Sequence, residues 1–367
     1  MAVSRREFLK KTGRTAIVAA AGFSGCRQGH KSESGKAAMK QGSQRLTVQR
    51  LKQWEALKYG MFICYGMSTF GKRGQYPRGQ APLNVYSPKN IDIEQWISVL
   101  CDAGMKYAVL TAKSENGHCL WPSDYTDYTV ANCTNKTDVV DKFVKTCRKK
   151  GIMSGIYYCS MDSHHLFGSQ TRDMSNIGFM GGTPKTQGDD LPPHTTSVYQ
   201  TFMTSQLTEI IERYGPIGEM WIDLPGELGW GYRTFIYNHI GRLQPDSITM
   251  MNSGTPTSSE NYDVAYAWPS DLIAIERGLP PASGHQKWRR IKGRDYYVPA
   301  EVCDPIGKNW YHQPPDPPRS DETLAGILGG CIDRGANLLL DVPPNKEGLI
   351  PDEYVQALMR LRKNVKL

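Results

Sequence analysis

No C-x-x-C pair occurs among the nine cysteines, so a structural zinc site built from closely spaced thiols is excluded. The adjacent His164 and His165 do not repair this, because neighbours on one loop rarely share a metal. No metal and no cofactor is expected. Nor is there a long apolar run. The stretch from Ala16 to Phe23 is far too short to cross a bilayer as a mature helix. The formal net charge is +8, yet no long basic run is interleaved with aromatics. Arg5, Arg6, Lys10, Lys11 and Arg14 supply much of the excess, so nucleic acid is excluded as a partner. No repeat of fixed period is present, which excludes a solenoid.

What is there begins with an address. Ser4-Arg5-Arg6-Glu7-Phe8-Leu9-Lys10 reads as a twin-arginine (Tat-type) export signal, and Phe23-Ser24-Gly25-Cys26 as a lipoprotein box. Residues 1–26 are therefore expected to be a signal segment, with membrane contact only through a lipid at Cys26. The destination is the periplasm or cell envelope. Residues 27–46, rich in Gly, Ser, Lys and Gln, form a flexible linker. The body spans residues 47–367.

That body alternates strand-like and helix-like segments, the pattern of parallel strands with crossover helices. Strand candidates are residues 60–63, 107–110, 153–158, 219–222, 248–251, 264–267, 296–298 and 338–340. Periodic helical segments cover 93–103, 138–150, 199–214 and 321–333, and Gly104, Gly151 and Gly215 follow helix ends. Eight strands with helices between them predict a single (β/α)8-like TIM barrel of the α/β class. Its active site belongs at the strand C-termini. The remaining cysteines are expected to act mostly as small buried apolar groups. The 8 tryptophans suit either a packed core or flat surfaces for sugar rings.

Read as strand ends, several segments carry chemistry. Strand one ends in Cys64 and Tyr65. Strand two leads to Glu115, Asn116, His118 and Trp121. Strand three ends in Tyr158, strand four in Trp221 and Asp223, strand six in Trp268, and strand seven in Glu301. Glycoside hydrolysis needs two carboxyl groups flanking the bond, about 5–5.5 Å apart when configuration is retained. Asp223 and Glu301 are the best pair, although strand-end carboxylates also cap helices or pair with arginines.

From about residue 50 onward the chain resembles glycoside hydrolase family 29, the α-L-fucosidases. The resemblance runs through Lys58-Tyr59-Gly60-Met61-Phe62-Ile63, Ala103-Gly104-Met105-Lys106-Tyr107, Cys119-Leu120-Trp121-Pro122-Ser123 and Gly155-Ile156-Tyr157-Tyr158-Cys159-Ser160. It is most specific in Gly335-Ala336-Asn337-Leu338-Leu339-Leu340-Asp341-Val342-Pro343-Pro344-Asn345. The resemblance implies a retaining exo-glycosidase acting on a glycan. Trp221-Ile222-Asp223 matches the family's nucleophile motif. Glu301-Val302-Cys303 with Trp310-Tyr311 matches one pattern for the acid/base, which makes Glu301 the choice and Glu276 and Glu260 its rivals.

Departures are equally informative. Cys64 stands where the family has a His, Tyr65 where a Trp is common, and Ser114-Glu115-Asn116-Gly117-His118 replaces a His-rich run. Three imidazoles that bond fucose hydroxyls are missing. A thiol is a weak partner for a hydroxyl and a carboxylate a strong one, so the sugar preferred should differ with them. The C-terminal β-sandwich of many relatives is not expected. A glycan-binding protein without catalysis remains the alternative reading.

Overall fold

In the computed structural model the chain is described over residues 40–71, 80–165, 195–252 and 264–365. The signal segment with Cys26, most of the linker, and Glu260 lie outside the described residues.

A helix, α1 (Val48–Glu55), opens the body, its N-terminus capped by the Thr47 side chain. Strands β1 (Tyr59–Ile63), β2 (Tyr107–Lys113), β3 (Met153–Cys159), β4 (Glu219–Asp223) and β5 (Ile248–Met251) follow. Helices α2 (Ile93–Asp102), α3 (Val139–Lys150), α4 (Ser197–Tyr214) and α5 (Gly229–Leu243) connect them. The caps obey local chemistry. Asp138 accepts the Asp141 N–H at the start of α3; Arg148, Lys149 and Lys150 fill its last turn, and Gly151 leaves it at φ 68°.

Next come β6 (Ile273–Glu276), an antiparallel hairpin of β7 (Trp288–Ile291) and β8 (Arg294–Tyr297), and β9 (Ala300–Pro305). The chain closes with α6 (Asp321–Asp333), β10 (Ala336–Asp341) and α7 (Asp352–Asn364). Eight strands pair in parallel in the order β5-β4-β3-β2-β1-β10-β9-β6. The seam between β5 and β6 is bridged by hydrogen bonds. The Asp271 N–H donates to the Thr249 carbonyl at 2.9 Å, and the Thr249 N–H to Asp271 Oδ2 at 2.8 Å. The result is the expected TIM barrel.

Two strand assignments from the sequence are corrected. Residues 264–267 form a short helix, and the barrel strand is Ile273–Glu276. Residues 296–298 lie in and just after the hairpin, and the barrel strand begins at Ala300. Apolar stretches of three or four residues fit a strand, a hairpin or a helical turn equally well, so pattern alone misplaced them.

Burial follows strand alternation. One cluster, with Phe62, Val109, Tyr157, Trp221, Met250, Ala274, Cys303 and Leu339, fills the barrel lumen. The larger cluster packs between sheet and helices. Helix α1 closes the base by inserting Trp54, fully buried, against Tyr107 at a ring separation of 6.2 Å. The eight described cysteines are free thiols, and seven of them are buried.

Candidate active site

Three successive strand ends supply the polar centre of the barrel mouth. Asp223 is the last residue of β4, Asn252 follows β5, and Glu276 is the last residue of β6. Asp223 accepts a 2.6 Å hydrogen bond from the Tyr157 hydroxyl on Oδ2 and a 2.8 Å hydrogen bond from the Asn252 amide on Oδ1. The Leu224 N–H adds a third, from a residue held at φ 50°. A left-handed leucine costs of order 1–3 kcal/mol, and such strain persists where the surroundings over-determine it. Asp223 and Glu276 both keep partial exposure.

Glu276 also takes a hydrogen bond from Asn252. One amide serving two carboxyls holds their nearest oxygens within about 6 Å of each other. Burial, then the nearby Asp223 charge, push the Glu276 carboxyl up to about 7. Burial also raises Asp223, against the hydrogen bonds from Tyr157, Asn252 and Leu224, which favour its ionised form. The two acids thus differ in their partners: three donors bond Asp223 and oppose the rise that burial causes, while Glu276 retains a proton near neutrality.

Trp310 flanks this centre, with its edge toward Phe62 at 6.2 Å and the Arg277 guanidinium 4.8 Å from its ring centre. Cys64 donates its N–H to Asp341 Oδ1 at 3.2 Å and its thiol to the same carboxyl. Glu115 lies close enough to Cys159 and Tyr311 for its charge to help hold their protons on.

Other residues singled out from the sequence are placed elsewhere, and these placements are corrections. Glu301 does not end a strand at the rim. It is the second residue of β9, 1% exposed deep in the lumen, where it accepts from the Tyr107 hydroxyl at 2.8 Å and the Trp221 indole at 3.0 Å. Tyr65 packs edge-on to Phe70, Tyr86 and Trp96 in the helix layer. His118 is buried against Tyr86, Tyr128 and the Cys133 thiol, and burial pulls it down to about 3, so it stays neutral. Asn116 builds the turn, accepting the His118 N–H and donating to Ser68. Trp121 is fully buried and donates to Glu209 on α4.

Tyr158 faces outward, its hydroxyl donating to Gln206 at 2.7 Å. Trp268 precedes β6 rather than ending a strand, and packs edge-on against Tyr296. Trp221 is in the lumen, stacked on Tyr157 at 5.2 Å. His164 stacks on Tyr128 at 3.8 Å, and His165 bonds Asp162 and Thr126. Among the described residues no cluster of His, Cys, Asp or Glu could hold a metal.

Tyr157 and Asn252 were missed from the sequence. Alternation offered a signal for the first: residues two apart share a face, so lumenal Cys159 selects Tyr157 over Tyr158. Asn252 had only its place after an apolar run.

A family model described as Alpha-L-fucosidase matches residues 67–366. Alpha-L-fucosidase 1 from Arabidopsis thaliana is 26% identical over 318 residues, covering 83% of this chain and 57% of its own length. A putative alpha-L-fucosidase 1 from Oryza sativa subsp. japonica is 28% identical over 321 residues, covering 83% and 56%. The chain thus spans a little over half the length of these curated relatives. A putative alpha-L-fucosidase structure from Bacteroides thetaiotaomicron matches with a TM-score of 0.67 at 26% identity, covering 89% of this chain and 69% of that one.

Proposed function

The chain belongs to the α-L-fucosidase family, and from that premise we propose that it is a retaining, exo-acting glycoside hydrolase that removes a terminal α-L-fucose or a related sugar from a glycan. One observation carries this reading: Asp223 and Glu276 flank a single amide at the barrel mouth, Asp223 bonded by three donors that favour its ionised form and Glu276 pushed up to about 7, where it can carry a proton. That division of labour is what double displacement requires.

Asp223 attacks the anomeric carbon. The Tyr157 hydroxyl and the Asn252 amide fix the orientation of its two oxygens. Glu276 gives its proton to the departing glycosidic oxygen, then takes one from the water that releases the sugar from Asp223. Its partial exposure leaves a path for that water. Trp310, beside Arg277, offers a flat face at the same rim. With the Cys64 thiol engaged by Asp341 and His118 buried in the helix layer, the hydroxyl partners on this side differ from imidazoles. The sugar preference follows from that difference.

The test is chemical rescue. Asp223→Gly should be inactive on an aryl α-L-fucoside, and azide should restore turnover as a glycosyl azide. Full activity without azide, or glycan binding with neither turnover nor rescue in any variant, would overturn the assignment. The second outcome would favour a glycan-binding protein on the same barrel.

A further inference from the structure

Beneath the mouth lies a second pair of acids that the proposed chemistry does not use. Glu219 and Glu301 project into the lumen from β4 and β9, are 0% and 1% exposed, and lie within hydrogen-bonding reach of each other. Glu301 accepts from the Tyr107 hydroxyl on Oε1 and from the Trp221 indole on Oε2. Glu219 Oε2 accepts from the Trp54 indole at 3.1 Å, while Glu219 Oε1 meets no donor. Two ionised carboxylates are acceptors only, so a contact between them is repulsive unless one carries a proton.

Among the described residues, the groups around the pair supply no compensating charge inside the lumen. Tyr107 on β2, Trp54 on α1 and Asn337 on β10, whose amide donates to the Trp54 carbonyl, are neutral. Cys303 on β9 is a thiol held protonated by burial. Cys331 on α6, beyond Tyr107, is likewise a thiol raised by burial. Arg50 on α1 attracts Glu219 from the barrel base, where it bonds the Asp246 carbonyl. Space for the pair is built into the backbone. A Cβ at Gly155 would sit 3.2 Å from the Glu219 Cβ, and one at Gly60 would sit 2.5 Å from the Tyr107 ring.

We propose that Glu219 and Glu301 share one proton, Glu219 as donor and Glu301 as acceptor, and that Glu301 is thereby a positioning residue for the nucleophile. The route is a set of contacts. Glu301 holds the Trp221 indole, Tyr157 stacks on that indole at 5.2 Å, and the Tyr157 hydroxyl holds Asp223 Oδ2 at 2.6 Å. Phe62 packs against both rings, at 5.5 Å from Trp221 and 5.7 Å from Tyr157. Burial raises both acids, and their mutual repulsion raises Glu219 further, so at least one proton stays on the pair across the neutral range.

This inference rests on the hydrolase reading for its kinetic arm, and on the contacts alone for its spectroscopic arm. The two amide variants are nearly isosteric but not equivalent. In Glu219→Gln a permanent N–H replaces the shared proton, and the amide oxygen still accepts from Trp54. In Glu301→Gln the nitrogen cannot accept, so either Trp221 or Tyr107 loses its partner. Glu219→Gln should retain kcat within about threefold, whereas Glu301→Gln should lose about tenfold or more in kcat with KM little changed. The Trp221 indole resonance in ¹⁵N-resolved NMR should be displaced in Glu301→Gln and stay in place in Glu219→Gln.

Equal losses in the two variants, or a wild-type kcat in Glu301→Gln, would overturn the proposal. Should Glu301→Gln fail to fold, Trp221→Phe takes its place, with the same loss in kcat expected and an unchanged kcat overturning it. If the wild type hydrolyses no α-L-fucoside, the hydrolase reading fails separately. The indole resonances then decide alone: displacement in only the Glu301 variant supports the shared proton, and equal displacement refutes it.

Discussion

The mouth and the base of the lumen each hold two acids, and β4 contributes one to each: Asp223 above, Glu219 below. Four residues of strand, about 13 Å, separate them. At the mouth both residues keep partial exposure, and an amide stands between their carboxyls. At the base both are dry and touch directly. Identical functional groups therefore take different states. At the mouth, three donors favour the ionised form of Asp223 while Glu276 keeps its proton near neutrality. Dry confinement makes the base acids share a proton and act as structure. A carboxyl pair in a barrel lumen is thus not a catalytic pair until its depth is known.

Mouth and base should differ most at Glu276. Glu276→Gln should lower kcat/KM about 10²–10⁴-fold on natural glycosides and far less on aryl glycosides with good leaving groups, which need no proton. In the wild type, activity should fall as pH rises through about 7, where Glu276 loses its proton, and that limb should vanish in the variant. The stability sign is the same. The native state holds a proton that the unfolded chain releases above its ordinary value of 4.5, so this group's contribution to stability declines between pH 4.5 and about 7. A leaving-group-independent loss would return the acid role to another residue.

A smaller effect is expected at Tyr157→Phe. Loss of one hydrogen bond to an ionised carboxylate should cost about ten- to a hundredfold in kcat. The acid limb of the pH profile should move up as well, since Asp223 loses a donor that favours its ionised form. An unchanged limb would show that this contact does not tune the nucleophile.

The smallest kinetic effect belongs at the base. Trp54→Phe removes the donor to Glu219 Oε2 in a closed site and should cost about 1–3 kcal/mol in denaturant-induced unfolding. Its kcat should stay close to wild type, because Trp54 does not touch Trp221's route to Asp223. A loss in kcat matching that of Tyr157→Phe would erase the distinction between the two regions.

Much of the barrel was legible in order. Six of the strand candidates lie on barrel strands, because long apolar runs ending in polar residues have one good explanation in a parallel sheet. The stretch between β5 and β10 was not. Its strands are short, and the β7–β8 hairpin carries the same aromatic and β-branched residues as a barrel strand. That error moved the expected rim by one strand and placed Glu301 at the top, when it lies near the bottom of β9. Neighbouring choices on single strands failed for a smaller reason. Tyr157 and Tyr158 are chemically alike, and only the facing of β3 separates the one that holds Asp223 from the one that bonds Gln206.

Local pattern was enough for the architecture and for Asp223 at the end of β4: apolar run, polar end, helix cap. Which glutamate stands opposite Asp223 emerges only in the folded barrel. Glu276 and Glu301 are 25 positions apart in sequence and similar in flanking character. Their roles diverge because strand register sets depth in the lumen, and depth sets access to water, a quantity no local stretch of residues encodes.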